Sequence, residues 1–218
     1  MKRETVVRRF TFPVSRFTTR RSLLRATVLL ALAVSRPATG QETGTPVFQS
    51  PYRSFQRYEF GGAVSFQRGY QTGIEGHYRR GFGAVDGAVR AGIIVRDDVP
   101  DSFVVGVGAR IPLVAEERFP LRGALVVGAG LDVSGGVSLW VPVGLSLGRR
   151  LNVEKSAVSL VPYVQPTVFF TSVGSRVEAG LGLGLDLRLS SAFEFRLGGG
   201  FGTGGAPEGV GVSAVWLR

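Results

Sequence analysis

"RVEAGLGLGLDLRLS", residues 176–190, interleaves two compositions. The odd positions carry Val177, Ala179, Leu181, Leu183, Leu185, Leu187 and Leu189. The even positions carry Arg176, Glu178, Gly180, Gly182, Gly184, Asp186 and Arg188. Alternation of this kind is the period of a β-strand, whose successive side chains point to opposite faces. One face is leucine and the other is glycine with charge. Which of them lies inside decides the fold.

The pattern recurs along the chain, over 58–67, 72–82, 84–95, 102–113, 119–133, 137–149, 157–170, 193–201 and 209–217. In 58–67, Tyr58, Phe60, Val64 and Phe66 oppose Glu59, Gly61, Ala63, Ser65 and Gln67. In 102–113, Phe103, Val105, Val107, Ile111 and Leu113 oppose Gly106, Gly108 and Arg110. With the opening stretch this makes ten candidate strands, joined by short turn-like connections such as "GFG", "SGG" and "SSA". No helical period interrupts them. Pro142, Pro162 and Pro166 are the awkward residues, because proline cannot donate to a ladder; they imply bulges or misplaced strand limits.

A soluble sandwich or barrel buries its large apolar face and shows water a polar one. Here the polar face is too small for that role, being built of Gly, Ala and Ser, while the apolar face is continuous on every strand. Ten such faces would far exceed the few hundred Å² of apolar patch usual on a soluble monomer. A transmembrane β-barrel inverts the arrangement, with about ten residues per strand, apolar side chains to lipid and small or polar ones to the lumen. It has to close, since an open edge in hydrocarbon leaves backbone groups without partners. The expected fold is therefore all-β, a closed up-and-down antiparallel transmembrane barrel of ten strands, with eight as the alternative. A secreted soluble β-barrel that binds an apolar ligand is the competing architecture.

The net charge of +10 belongs mostly to the first 40 residues, which hold nine Lys/Arg and one acid. The remaining residues hold 17 basic and 15 acidic groups, which leaves no basic patch for nucleic acid. Arg8, Arg9, Arg16, Arg20, Arg21 and Arg25 precede the short apolar run "ATVLLALAV" (26–34) and the small residues of "SRPATG". That order describes a signal peptide over residues 1–40, with cleavage after Gly40. A run of that length is too short for a spanning helix, which needs about 20 residues. "TRRSLLR" (19–25) also resembles a twin-arginine signal, so the export route stays open. The absence of cysteine excludes disulfides, thiol catalysis and a lipoprotein anchor, and a single His excludes a multi-His metal site. Residues 41–57, "QETGTPVFQSPYRSFQR", show no period and are expected to be a periplasmic lead-in to a barrel over 58–218.

"IEGHYRRGFGAVDGAVRAGI" (74–93) is a strand–tight turn–strand unit, and the chain ends in "GVGVSAVWLR". In these two stretches the chain resembles the small outer-membrane β-barrel proteins of the opacity-like and OmpA-like group. The resemblance covers about residues 58–218. It implies residence in the outer membrane, contact with its lipid, a monomer, and recognition of the C-terminal strand by the barrel-assembly machinery. Such chains usually end in an aromatic residue, whereas here Leu217 and Arg218 follow Trp216. With the termini on the periplasmic side, Tyr58, Tyr78, Phe82, Phe119, Phe193, Phe195 and Trp216 gather at one interface. Phe66, Phe103, Phe170 and Phe201 gather at the other, as aromatic girdles do.

Three patterns suggest chemistry, and each has a plainer reading. Asp97, Asp98 and Asp101 in "RDDVPD" invite comparison with the aspartates of outer-membrane proteases. Those barrels rise well above the membrane and this chain is too short to do so, which leaves a solvated outer loop. His77-Tyr78-Arg79 has no hydroxyl where the His-x-Ser pair of lipid A deacylases carries its nucleophile. His77 is then a hydrogen-bonding residue of the lumen. "GFGTGG" (200–205) matches a dinucleotide fingerprint by letters alone, because a strand follows it rather than a helix. No enzyme, cofactor or metal site is expected.

What remains is the lumen. Glu59, Glu75, Asp86, Asp132, Glu178, Asp186 and Glu194 face Arg79, Arg90, Arg110, Arg122, Arg176, Arg188 and Arg196 across it. Nine of these charges fall toward the periplasmic ends: Glu59, Arg79, Asp86, Arg110, Arg122, Asp186, Arg188, Glu194 and Arg196. Charges withdrawn from water persist when paired, so an ion-pair layer is expected to close the barrel there. Gly92, Gly106, Gly128, Gly130, Gly180 and Gly200 are expected to line a wet recess above it. The expected role is structural or a porin-like passive permeability. An outer-membrane enzyme acting on lipid or peptide is the alternative.

Overall fold

The computed structural model describes residues 42–97, 100–115, 119–154, 156–172, 176–203 and 208–218. The proposed signal peptide lies outside the described residues, as does Asp98. Ten long strands run Tyr58–Gln67 (β1), Gln71–Phe82 (β2), Val85–Val95 (β3), Ser102–Val114 (β4), Arg122–Val133 (β5), Val137–Gly148 (β6), Ser159–Thr171 (β8), Arg176–Arg188 (β9), Phe193–Gly202 (β10) and Gly209–Leu217 (β11). A two-residue strand, Leu151–Asn152 (β7), folds back on β8 in the β6–β8 connection.

Each long strand pairs antiparallel with its neighbours in sequence, β11 pairs with β1, and β6 pairs with β8. The sheet is a closed barrel. At the β1–β11 seam the register runs from Glu59 opposite Leu217 to Gln67 opposite Gly209. The carbonyl of Arg218 then accepts from the amides of Gln56, Arg57 and Tyr58, which ties the chain's end to the start of β1. The prolines fall within strands after all. Pro162 and Pro166 point outward from β8, and the β6–β8 ladder lapses between Gly144–Thr167 and Leu147–Val164, beside Pro166. A bulge at Pro112–Val114 accommodates the proline of β4.

The apolar faces look outward. Phe60, Phe66, Ile74, Val89, Ile93, Phe103, Val107, Leu183, Leu197, Phe201, Val212 and Trp216 are all exposed, while Glu59, Glu75, Arg79, Asp86, Arg90, Arg110, Asp186, Glu194 and Arg196 are all buried. That is a core turned inside out, and hydrocarbon is the solvent that tolerates it. At the end carrying the termini, Trp216 stacks on Phe60 at 5.9 Å and meets the edge of Phe193 at 5.0 Å, and Tyr58 lies 5.8 Å from Tyr78. These contacts form a band where one girdle was expected.

The lead-in differs from expectation. Residues 42–52 do not hang below the barrel; they are buried inside it. The segment has no strand period because it joins no ladder: it threads the lumen and bonds to inward side chains.

Leu183 is 46% exposed near the middle of β9 and Gly182 beside it faces the lumen. Leu183→Arg is expected to cost about 2–4 kcal/mol, the range for a cation placed on the lipid face near mid-membrane. Gly182→Arg should instead fail by collision inside the barrel, and urea unfolding in lipid vesicles separates the two.

Candidate functional site in the barrel lumen

Cross-strand register sets up the charges. Glu59 lies opposite Arg79, Asp86 opposite Arg110, and Asp186 opposite Arg196, each pair on adjacent strands with both side chains inward. Arg196 is the hub of one cluster. Its guanidinium holds the Glu59 carboxylate at 2.8 and 2.7 Å and donates from Nε to Glu194 at 2.7 Å. Its Nε also lies 3.9 Å from Asp186. Arg79 adds a contact of 3.1 Å to Glu59, and His77 Nε2 stands 3.9 Å from the same carboxylate. Arg196 can reach Glu59 past β11 because the inner face of that strand is small at Gly211, Ser213 and Val215. Fork-to-carboxylate pairing of this kind is the strong form of a charged hydrogen bond.

A second cluster centres on Asp86, which pairs with both Arg110 and Arg53. Arg110 also donates to the carbonyls of Ser50 and Tyr52. Two of the nine expected members stay outside both clusters. Arg188 donates instead to the carbonyls of Ser190 and Ser191 at 3.1 and 3.5 Å, closing the β9–β10 turn, although Glu194 lies opposite it in register. Arg122 lies over the ring of Tyr52 at 5.2 Å, with Arg150 over the same ring at 4.6 Å. Among the remaining inward charges, Arg90 pairs with Glu75, and Asp132 pairs with Arg96 at 3.0 Å toward the far end.

The segment 42–57 supplies the residues that the strand pattern missed. Its lower part is an anchor. Phe55 packs with Val215 and Leu217, Arg53 bonds the carbonyls of Gly83 and Val85, and Tyr52 packs with Phe48, Val161 and Tyr163. Higher up, Ser146 donates to the Gln49 carbonyl at 2.6 Å and the Gln49 amide donates to Gln165 at 3.2 Å. Arg90 donates to the Val47 carbonyl at 3.1 Å, and Thr45 donates to Glu75 at 2.9 Å.

The inward glycines are the footprint of this segment. A Cβ on Gly182 would overlap the ring of Phe48, and one on Gly211 would meet Val47 and Pro46. On β4 and β5, a Cβ at Gly106, Gly108, Gly128 or Gly130 would run into Glu42. The wet recess expected above the ion pairs is thus corrected at Gly106, Gly128 and Gly130: the chain itself fills it. A void of about 10 Å³ remains between Val47, Phe48, Gln49 and the side chains of His77, Arg79, Arg90, Arg196 and Ser213, room for about one water. Glu42 lies fully buried, 3.7 Å from Arg90, with its Oε1 accepting from Gln49 at 3.1 Å. Burial pushes its carboxyl above the usual range, and Arg90 opposes that only in part.

No protein-family model matches the chain, and no curated protein does. Among solved structures it is similar to a designed transmembrane β-barrel, at 10% identity over 78% of this chain and 98% of that one, with a TM-score of 0.39. It is similar to the β domain of the Bordetella autotransporter BrkA, at 12% identity over 74% and 98%, with a TM-score of 0.45. It is also similar to OmpT, an outer membrane protein of Vibrio cholerae, at 10% identity over 78% and 62%, with a TM-score of 0.30.

Arg196→Met removes the hub that holds Glu59 and Glu194 and lies beside Asp186, and leaves Arg79 on Glu59. Breaking a buried ion pair by deleting one partner costs about 3–5 kcal/mol. Chemical unfolding of the variant in vesicles is expected to show a loss of that size, whereas Arg188→Met should cost far less.

Proposed function

We propose that the protein is a non-enzymatic outer-membrane barrel that serves the envelope structurally and, in the conformation described above, does not conduct. The observation that carries this reading is the filling of the lumen by residues 42–52 over two buried ion-pair clusters. A water-filled pore needs a continuous polar channel, and the segment occupies that path; one void beside it, among the described residues, has room for about one water. The apolar outer face favours a lipid environment over the soluble ligand-binding alternative, since no buffer solvates so many exposed aromatic and aliphatic side chains. A monomer suits a barrel whose long strands each find both neighbours within one chain. His77 sits among Glu59, Arg79, Arg90 and Arg196 behind the segment rather than in an open cleft, which favours a luminal hydrogen-bonding role for it.

The test is planar-bilayer conductance of protein purified from the outer-membrane fraction of cells expressing the full chain. The unaltered protein is expected to show little steady conductance near neutral pH, and deletion of residues 42–50 is expected to open a pore. A large steady conductance before deletion, or none after it, would overturn the reading. Gel mobility with and without boiling verifies closure, because a folded barrel resists dodecyl sulfate until heated.

A further inference from the structure

The luminal segment divides into two parts of different character. From Tyr52 downward it is anchored by aromatic packing, by Arg53 on Asp86, and by the bonds of Gln56 and Arg57 to Arg218. From Glu42 to Gln49 it is half polar: Glu42, Thr43, Thr45 and Gln49 are buried against polar or glycine surface. The polar groups of this finger trade their hydrogen bonds for water when it leaves, so release is opposed chiefly by the buried Pro46, Val47 and Phe48. Ser50 and Pro51 join the two parts.

The tip of the finger carries an electrostatic conflict. Glu42 and Glu75 share Arg90, which forms an ion pair with each. Arg79, the other cation near Glu42 among the described residues, is committed to Glu59. On β4 and β5 the tip lies against Gly106, Gly108, Gly128 and Gly130, which carry no charge. Two ionised carboxylates on one guanidinium leave a net negative charge in a dry site, which costs heavily unless one of them takes a proton. Glu42 Oε2 makes no hydrogen bond, and Arg90 Nη1 stands off from it at 3.7 Å, so the cation holds the ionised carboxylate only weakly.

We propose that residues 42–49 are a proton-held gate: seated in the lumen while Glu42 is protonated, and released when it ionises. The proposal rests on the reading of the segment as the seal. Its sign follows from linkage. The seated carboxyl binds its proton more tightly than the released one, so seating strengthens as pH falls and weakens as pH rises through the free-carboxyl range and beyond.

Conductance between about pH 5 and about pH 9 tests it, an increase of at least about tenfold being expected for the unaltered protein. Glu42→Gln, neutral at every pH, should stay closed throughout. Gly130→Ala, whose Cβ takes the place of the Glu42 backbone, should conduct throughout. The chain has no cysteine, so Thr43→Cys gives a single reporter of finger release. Its labelling rate by a water-soluble maleimide, divided by the rate in the Thr43→Cys, Glu42→Gln double variant at the same pH, should rise with pH. If deletion of residues 42–50 opens the pore but the unaltered protein is insensitive to pH, the seal stands and the proton gate is wrong. If Glu42→Gln opens with pH like the unaltered protein, another group controls the change and the proposal is overturned. If neither the deletion nor Gly130→Ala conducts, the seal itself is refuted and the gate falls with it.

Discussion

Closure of the hydrogen-bonded ring is the constraint from which the rest of this structure follows. In hydrocarbon no water satisfies a backbone N–H or C=O, and each one left unpaired costs several kcal/mol. The β1–β11 and β6–β8 seams remove both edges, and the Arg218 carbonyl takes the last amides before β1. The ladder lapses visibly beside Pro166, where a missing N–H makes pairing impossible and the register resumes two residues later. A ring of ten strands fixes the lumen's width, and that width sets the problem its contents must solve.

Strands this small on the inside enclose more space than their own side chains fill. Some of it is taken by residues of the wall, such as Tyr163 against Gly184 and the buried Phe169 and Val104. The remainder is taken by the chain before β1, which folds back through its own barrel. The glycines of β4, β5, β9 and β11 are therefore clearance for Glu42, Phe48, Pro46 and Val47 more than they are turn or strand signals. The arrangement turns a segment with no secondary structure into the central packing element of the molecule.

The same confinement governs the charges. Arg196 and Asp86 each collect partners from several strands, because inside a low-dielectric lumen a carboxylate without a cation is far more costly than on a surface. Guanidinium groups suit the role, since one fork can hold two carboxylates or a carboxylate and backbone carbonyls together, as Arg110 does with Asp86, Ser50 and Tyr52. Ion pairs of the wall and bonds to the segment are thereby one network. The segment's anchor and the wall's rigidity cannot be separated energetically.

The alternation of residues 176–190 and its repeats determined the strands, their faces and the inverted barrel. Period-two patterning is local, and a one-residue error would place leucine in the lumen and glutamate in lipid. The strand limits from pattern and from structure agree within a few residues, as in β1 and β11. Several ion pairs were also legible, because Glu59 and Arg79, or Asp86 and Arg110, sit at matching depths on consecutive strands. Only the tertiary structure decided that Arg188 would turn to the Ser190 and Ser191 carbonyls, that Arg122 would cover Tyr52, and that residues 42–52 would lie inside. Those choices depend on which groups reach each other across strands distant in sequence and on how much volume a closed ring leaves empty. Neither quantity exists until the ring closes. The glycines marked the empty volume in the sequence, but nothing local in "QETGTPVFQSPYRSFQR" marked that stretch as what fills it.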